Sequence, residues 1–192
     1  MGRFLENVYD VLFQPGAAMR LIAGQRLCGQ ALAAFLLSTL IPAVAGYYPA
    51  QAAGIGKFYP VILLLQLFGG LFFWFVSSAV LHLIAEFYGG RGSAAGLFAA
   101  TGFAQLPRIL IAPLVVLAML LPAGAMPLFL GLGILGIMVW VLVLEVSAVK
   151  GAHELSGAKA ILVVLTPLLT LLAAFVALVT LIGTAFLPAW PG

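Results

Sequence analysis

Five stretches of this chain are too long and too apolar to be elements of a water-soluble domain, and that restricts the medium around them to lipid. They run roughly from Gln30 to Tyr48, Tyr59 to Glu86, Gly96 to Leu121, Pro127 to Val149 and Ala158 to Leu187. Each is near or above the ~20 residues that cross a hydrocarbon core of ~30 Å. Only 7% of the residues are charged, against about 25% in ordinary soluble domains, so little chain is left for water-exposed structure. The expected fold class is all-α: a polytopic membrane helical bundle with five transmembrane helices, a kinked or broken third span and an N-terminal amphipathic interfacial helix. Residues 1–28 form the interfacial segment and 29–192 the five-span domain.

Orientation follows from the basic residues, because Lys and Arg in short flanking loops resist translocation. Arg3, Arg20, Arg26, Arg91, Lys150 and Lys159 flank one side of the spans and Lys57 alone the other. The chain is therefore expected in the cell (cytoplasmic) membrane with its N-terminus cytoplasmic and its C-terminus outside. Tyr47, Tyr48, Tyr59 and Trp190 would form an outer aromatic belt, and Phe87 with Tyr88 an inner one. Ala43-Val44-Ala45 has the small residues of a signal-peptide cleavage site. The long preceding segment, with Glu6 and Asp10, is unlike a short basic leader, so the first span reads as permanent.

In the first 28 residues Phe4, Val8, Val11 and Leu12 recur at helical spacing, with Arg3, Glu6, Asn7 and Asp10 on the other side. This predicts an amphipathic helix lying in the membrane plane as an anchor. Pro15 suits the first turn of a second helix whose Arg20 and Arg26 would sit at lipid phosphates. A docking surface for a partner is the alternative use of the same segment.

Between the second and third spans, Gly89-Gly90-Arg91-Gly92-Ser93 reads as a tight turn in which Ser93 caps the next helix. Gly92, Gly96, Ala100 and Ala104 then follow at i+4 spacing, a row that lets a neighbouring helix approach closely. Pro107 and Pro113 each lack an amide donor and should kink or divide the span. The thirteen Leu, Ile, Val and Phe residues from Leu97 to Leu121 supply about 4 to 8 kcal/mol of insertion free energy, against about 2.5 to 3.5 for a central Arg108. The span inserts with a small margin, and the competing picture lays residues 93–106 flat on the cytoplasmic surface.

The run Gly102-Phe103-Ala104-Gln105-Leu106-Pro107 resembles the glycine-aromatic-small-x-x-proline signature of the Yip (Ypt-interacting protein) domain family of five-span membrane proteins, with Gly102, Phe103 and Pro107 as its marker positions. Phe13-Gln14-Pro15 with Met19 and Ile22 resembles the pre-membrane segment of prokaryotic members. Trp140, Glu145 and His153-Glu154-Leu155-Ser156, with Lys159-Ala160-Ile161-Leu162, resemble the end of the fourth span and the start of the fifth. The resemblance covers nearly the whole chain and implies an integral membrane protein with a cytoplasmic N-terminus. Eukaryotic relatives bind prenylated Rab-type GTPases and act in vesicle traffic; the long N-terminal region of those relatives has no counterpart here, which argues against GTPase binding.

Ionisable groups inside a span must face protein or water and usually pair. His82 and Glu86, one turn apart on the second span, together with Arg108 and Glu145, are therefore expected to form one polar cluster, serving either as a structural clasp or as a transport path. No catalytic, metal-binding or cofactor-binding pattern stands out. Gly131-Leu132-Gly133-Ile134-Leu135-Gly136 is a literal G-x-G-x-x-G, but it lies within an apolar span and reads as helix packing. Ser77 and Ser78 lack a nucleophile elbow, Trp74 and Trp140 read as packing residues, and Cys28 as a structural thiol. The leading functional expectation is a non-enzymatic membrane scaffold or adaptor acting through partner binding or lipid organisation. A carrier of small solutes, ions or protons is the alternative, and an intramembrane enzyme a distant third. The expected partners are the lipid bilayer and other membrane proteins or further copies of the chain, with no nucleic acid and no cofactor.

Overall fold

In the computed structural model residues 2–186 are described, and among them every regular element is helical. In order these are α1 (Gly2–Phe13), α2 (Pro15–Gln25), α3 (Cys28–Ala52), a 3₁₀ turn (Gly56–Phe58), α4 (Tyr59–Phe87), α5 (Ala94–Ala104), a 3₁₀ segment (Leu106–Leu110), α6 (Ile111–Ala118), α7 (Met126–His153) and α8 (Gly157–Phe186). Five segments are long and apolar enough to cross a membrane: Cys28–Ala52, Gly56–Phe87, Ala94–Ala118, Met126–His153 and Gly157–Thr184. The protein is a multi-pass helical bundle, as expected. Trp190 of the anticipated outer belt lies outside the described residues; Tyr47 and Tyr59 of that belt meet edge to face at 5.3 Å.

The third span is broken where its prolines indicate, though the two prolines act differently. After α5 the backbone tightens to i→i−3 bonding, from Gln105 N–H to the Gly102 carbonyl and from Arg108 N–H to the Gln105 carbonyl. Pro107, with no N–H to give, opens the 3₁₀ segment. Pro113 interrupts nothing, because it falls in the first turn of α6, where amides have no partner in any case. Ser93 caps α5 by accepting a hydrogen bond from Gly96 N–H at 3.1 Å.

α5 is the hub of the bundle. It packs against α2, α3, α4 and α7, and Gly96, Leu97 and Ala99 through Ala104 are all buried. Such enclosure requires small residues on more than one face. A Cβ at Gly96 would meet the Ala23 carbonyl oxygen of α2 at 2.7 Å, and one at Gly102 would strike the Trp74 indole of α4 and the Ala31 side chain of α3. From Gly96 to Leu106 the segment is thus largely walled in by protein, while Ala94 and Ala95 at its start are exposed. Within lipid, association of helices depends on such close van der Waals fit, since lipid tails are as apolar as Leu.

The N-terminal segment corrects an expectation. The spacing of Phe4, Val8, Val11 and Leu12 predicts a lipid anchor, yet Val11 is fully buried and the other three pack on the protein core around Phe103 and Met19. Periodicity marks an apolar face without saying what covers it, and here α2 covers it together with α5. Phe4 and Phe103 rings lie 6.1 Å apart, and Asn7 Nδ2 donates to Gln30 Oε1 at 2.9 Å. α2 is clamped across the end of α7 at Gly151, where a Cβ would come within 2.9 Å of the Arg20 amide nitrogen. Arg20 and Arg26 do remain exposed. At the opposite extreme, α8 leans on α4 and α7 through Ala160 and Val163, and from Leu168 to Thr184 it is largely open.

Candidate functional site

The four ionisable residues expected in one cluster fall into two. Glu145 and His153 are eight positions apart on α7, a rise of about 12 Å, and each organises a separate polar assembly. Among the described residues no ion pair joins Arg108 to a carboxylate; the acid–base contact that forms is His82 Nε2 to Glu86 Oε1 at 3.5 Å.

The first assembly is built on the helix break. Leaving α5, the 3₁₀ segment turns Gln105 and Arg108 toward α7. Gln105 Nε2 donates to Glu145 Oε1 at 3.1 Å, and Arg108 donates from one terminal nitrogen to Gln105 Oε1 at 3.5 Å. The amide of Gln105 therefore stands between cation and carboxylate, its oxygen toward one and its NH₂ toward the other. Arg108 Nε is buried with no hydrogen-bond partner. These three residues border a cavity of about 630 Å³ enclosed by α3, α4, the third span and α7, with Phe35, Gln66, Gly69, Phe73, Thr101 and Leu142 among its other walls. Next to it, Trp74 lies buried with its ring stacked between Phe35 and Phe98, at 4.9 and 3.9 Å. Its Nε1–H donates to Thr101 Oγ1 at 3.0 Å, and Ser78 Oγ meets the same hydroxyl at 2.8 Å.

The second assembly closes the end of the bundle that carries most of the basic residues. Gly92 N–H donates to His153 Nδ1 at 3.1 Å, which makes that nitrogen an acceptor and puts the proton of His153 on Nε2. His153 Nε2 lies 3.2 Å from His82 Nδ1, so His82 accepts there and carries its own proton on Nε2, facing Glu86. One backbone amide thus sets both tautomers along the line Gly92, His153, His82, Glu86. The turn itself is gripped by α7: Arg91 N–H donates to the His153 carbonyl at 3.2 Å, and a Cβ at Gly92 would collide with the Ala152 carbonyl oxygen. Gly89 takes φ 86°, and Lys159 Nζ donates to the Tyr88 carbonyl at 2.8 Å from the start of α8.

Of the marker positions, Gly102, Phe103 and Pro107 are all buried and act as packing and break residues, with no polar role. Gln105 and His153 were not singled out as site residues. The available signals were a Gln three positions before Arg108 in a span and a His closing the fourth span beside the glycine turn. Trp74 packs as expected, whereas Trp140 is 36% exposed on the outside of α7. Ser77 bonds back to the Trp74 carbonyl, while Ser78 instead reaches across to α5. Gly133 lets Leu114 of α6 approach, but Gly131 and Gly136 of the same motif face open space.

Together these features define a multi-pass membrane protein whose third span breaks at a half-buried arginine beside a lateral cavity. The model of the Yip1 domain matches residues 9–178, and the chain belongs to that family. No curated protein and no solved structure matches it.

Proposed function

We propose that this protein is a non-enzymatic scaffold or adaptor of the cytoplasmic membrane, acting through partner binding or local lipid organisation. The observation that carries the reading is the α1–α2 pair. It is clamped on α5 and α7 instead of hanging free, and it displays Leu5, Tyr9 and Phe13 at 65, 59 and 66% exposure. Tyr9 and Phe13 rings lie 4.7 Å apart, and Arg3 and Arg20 are exposed on the same pair of helices. A rigid platform of exposed aromatics and arginines suits a partner or a headgroup layer. The six-to-one distribution of basic flanks supports placing this platform in the cytoplasm.

Photo-crosslinking in cells from residues 9 and 13, with the half-buried Leu12 as control, tests the adaptor reading. Discrete protein adducts shared by the two exposed positions are expected. Lipid adducts alone would remove the adaptor half. A carrier is the second reading, favoured by the half-buried Arg108 at a cavity beside a broken span, an arrangement that transporters use. Solute flux in proteoliposomes that disappears in a folded Arg108→Ala variant would establish it in place of the scaffold.

A further inference from the structure

Arg108 is the least satisfied charged group in the bundle. A guanidinium offers five N–H donors; here one is used, at a long 3.5 Å, and the Nε–H is buried without a partner. Glu145 makes no ion pair with Arg108; its Oε1 accepts from Gln105, which stands between the two. A cation that is half-buried, with its Nε–H shut away from any partner, is costly in a medium of low polarity, and more so in lipid.

The space beside it has a definite character. At about 630 Å³ the cavity falls within the ~300–1,000 Å³ typical of small-molecule sites. Polar groups gather around Arg108 and Gln105, while Phe35, Phe73, Met138 and Leu142 give the rest apolar walls. Phe73, Met138 and Leu142 are also exposed to the outside, so the cavity opens sideways between α4 and α7 into the region of lipid chains. A second, mostly apolar groove of about 580 Å³ beneath α8 shares Phe73, Ser77, Leu81 and Glu145 with the first. Gly69, an exposed position of α4 bordering the cavity, leaves room there: a Cβ would meet nothing within 4 Å.

We propose that this cavity binds a single-chain acidic amphiphile, with a carboxylate or phosphate head on the free edge of the Arg108 guanidinium and its chain along the apolar wall of α4 and α7. A bare anion would satisfy Arg108 and leave the apolar walls unfilled. A neutral lipid would fill the walls and leave the cation unpaired. Only a ligand with both parts answers both features, and a planar guanidinium suits a two-oxygen acidic head. The inference deepens the lipid-organising side of the proposed function and rests on that reading; its test uses purified protein, so failure here would leave partner recruitment untouched.

The experiment is native mass spectrometry and thermal shift of the full chain in a neutral maltoside detergent, titrated separately with dodecanoate, dodecyl phosphate, dodecanol and inorganic phosphate. At least one of the two acidic amphiphiles should bind tenfold or more tightly than dodecanol, and whichever does identifies the head. Inorganic phosphate should leave the melting temperature unchanged at millimolar concentration. Arg108→Gln should abolish the preference for acid over alcohol. Gly69→Leu, which fills that room without touching Arg108, should weaken acid binding about tenfold, and Gly136→Leu on an open face should not. The proposal is overturned if dodecanol equals both acids, if inorganic phosphate stabilises as much as dodecyl phosphate, or if folded Gly69→Leu and Gly136→Leu bind the acids equally.

Discussion

Gly102→Ala is the sharpest test of how the third span is held. The new methyl would strike the Trp74 indole, lie 2.9 Å from the Ala31 side chain and 3.1 Å from the Ala31 carbonyl oxygen. None of these yields easily: the indole is stacked on both faces and bonded to Thr101, and the carbonyl belongs to a helix backbone. Overpacking of this kind costs about 1–3 kcal/mol, while replacing a helical Gly by Ala returns about 1 kcal/mol of propensity. The net expectation is a loss of about 0–2 kcal/mol. Gly69→Ala supplies the reference, because it gains the same propensity with nothing in the way. Subtracting the two cancels propensity and leaves the strain, about 1–3 kcal/mol. Reversible unfolding in mixed micelles, followed by circular dichroism, measures both. A Trp74→Phe background should shrink the difference, as coupled neighbours do. Equal stability of Gly102→Ala and Gly69→Ala would refute the packing of α5 against α3 and α4.

Three further outcomes are expected. His153→Leu removes the acceptor for the Gly92 amide and should lower unfolding free energy by about 1–3 kcal/mol, whereas His82→Leu leaves that bond intact and should lower it less; the same unfolding assay ranks them. Val11→Asp places a charge in the fully buried face of α1 and should destabilise by about 3 kcal/mol or more, while Leu5→Asp on the open face should stay within about 0.5 kcal/mol; the reverse order would mean that the Val11 face meets lipid. A reporter fused after Gly192 should be active only outside the cytoplasm, and cytoplasmic activity would invert the proposed orientation.

The spans were legible because hydropathy depends on the solvent and not on neighbours, and the break at Pro107 because a missing amide is a local fact. What surrounds an apolar face is not local. The stripe of Phe4, Val8, Val11 and Leu12 looks the same whether lipid or protein covers it, so its partners, α2 and α5, could be read only from the assembled bundle. The polar cluster failed for a related reason. His82, Glu86, Arg108 and Glu145 share a class of environment, but helix rise along α7 places Glu145 about 12 Å from the level of His153. Gln105 and His153, which join each pair to its surroundings, carry no charge pattern that would have marked them. The G-x-G-x-x-G of α7 shows the converse: a recognisable spacing in which Gly133 alone among its glycines takes a close neighbour.

The account rests on a third span that enters the bundle enclosed by protein, breaks at residues 105–110 and resumes in lipid. Paramagnetic relaxation of backbone amides in the unmodified protein, compared between dissolved oxygen and a water-soluble gadolinium chelate, reads this directly. Residues 96–104 should be shielded from both agents, with oxygen effects rising at Leu110, Val116 and Leu117, which are 44, 57 and 53% exposed. A helical repeat of gadolinium effects along 94–104 would instead place that segment at the water interface and contradict the central claim.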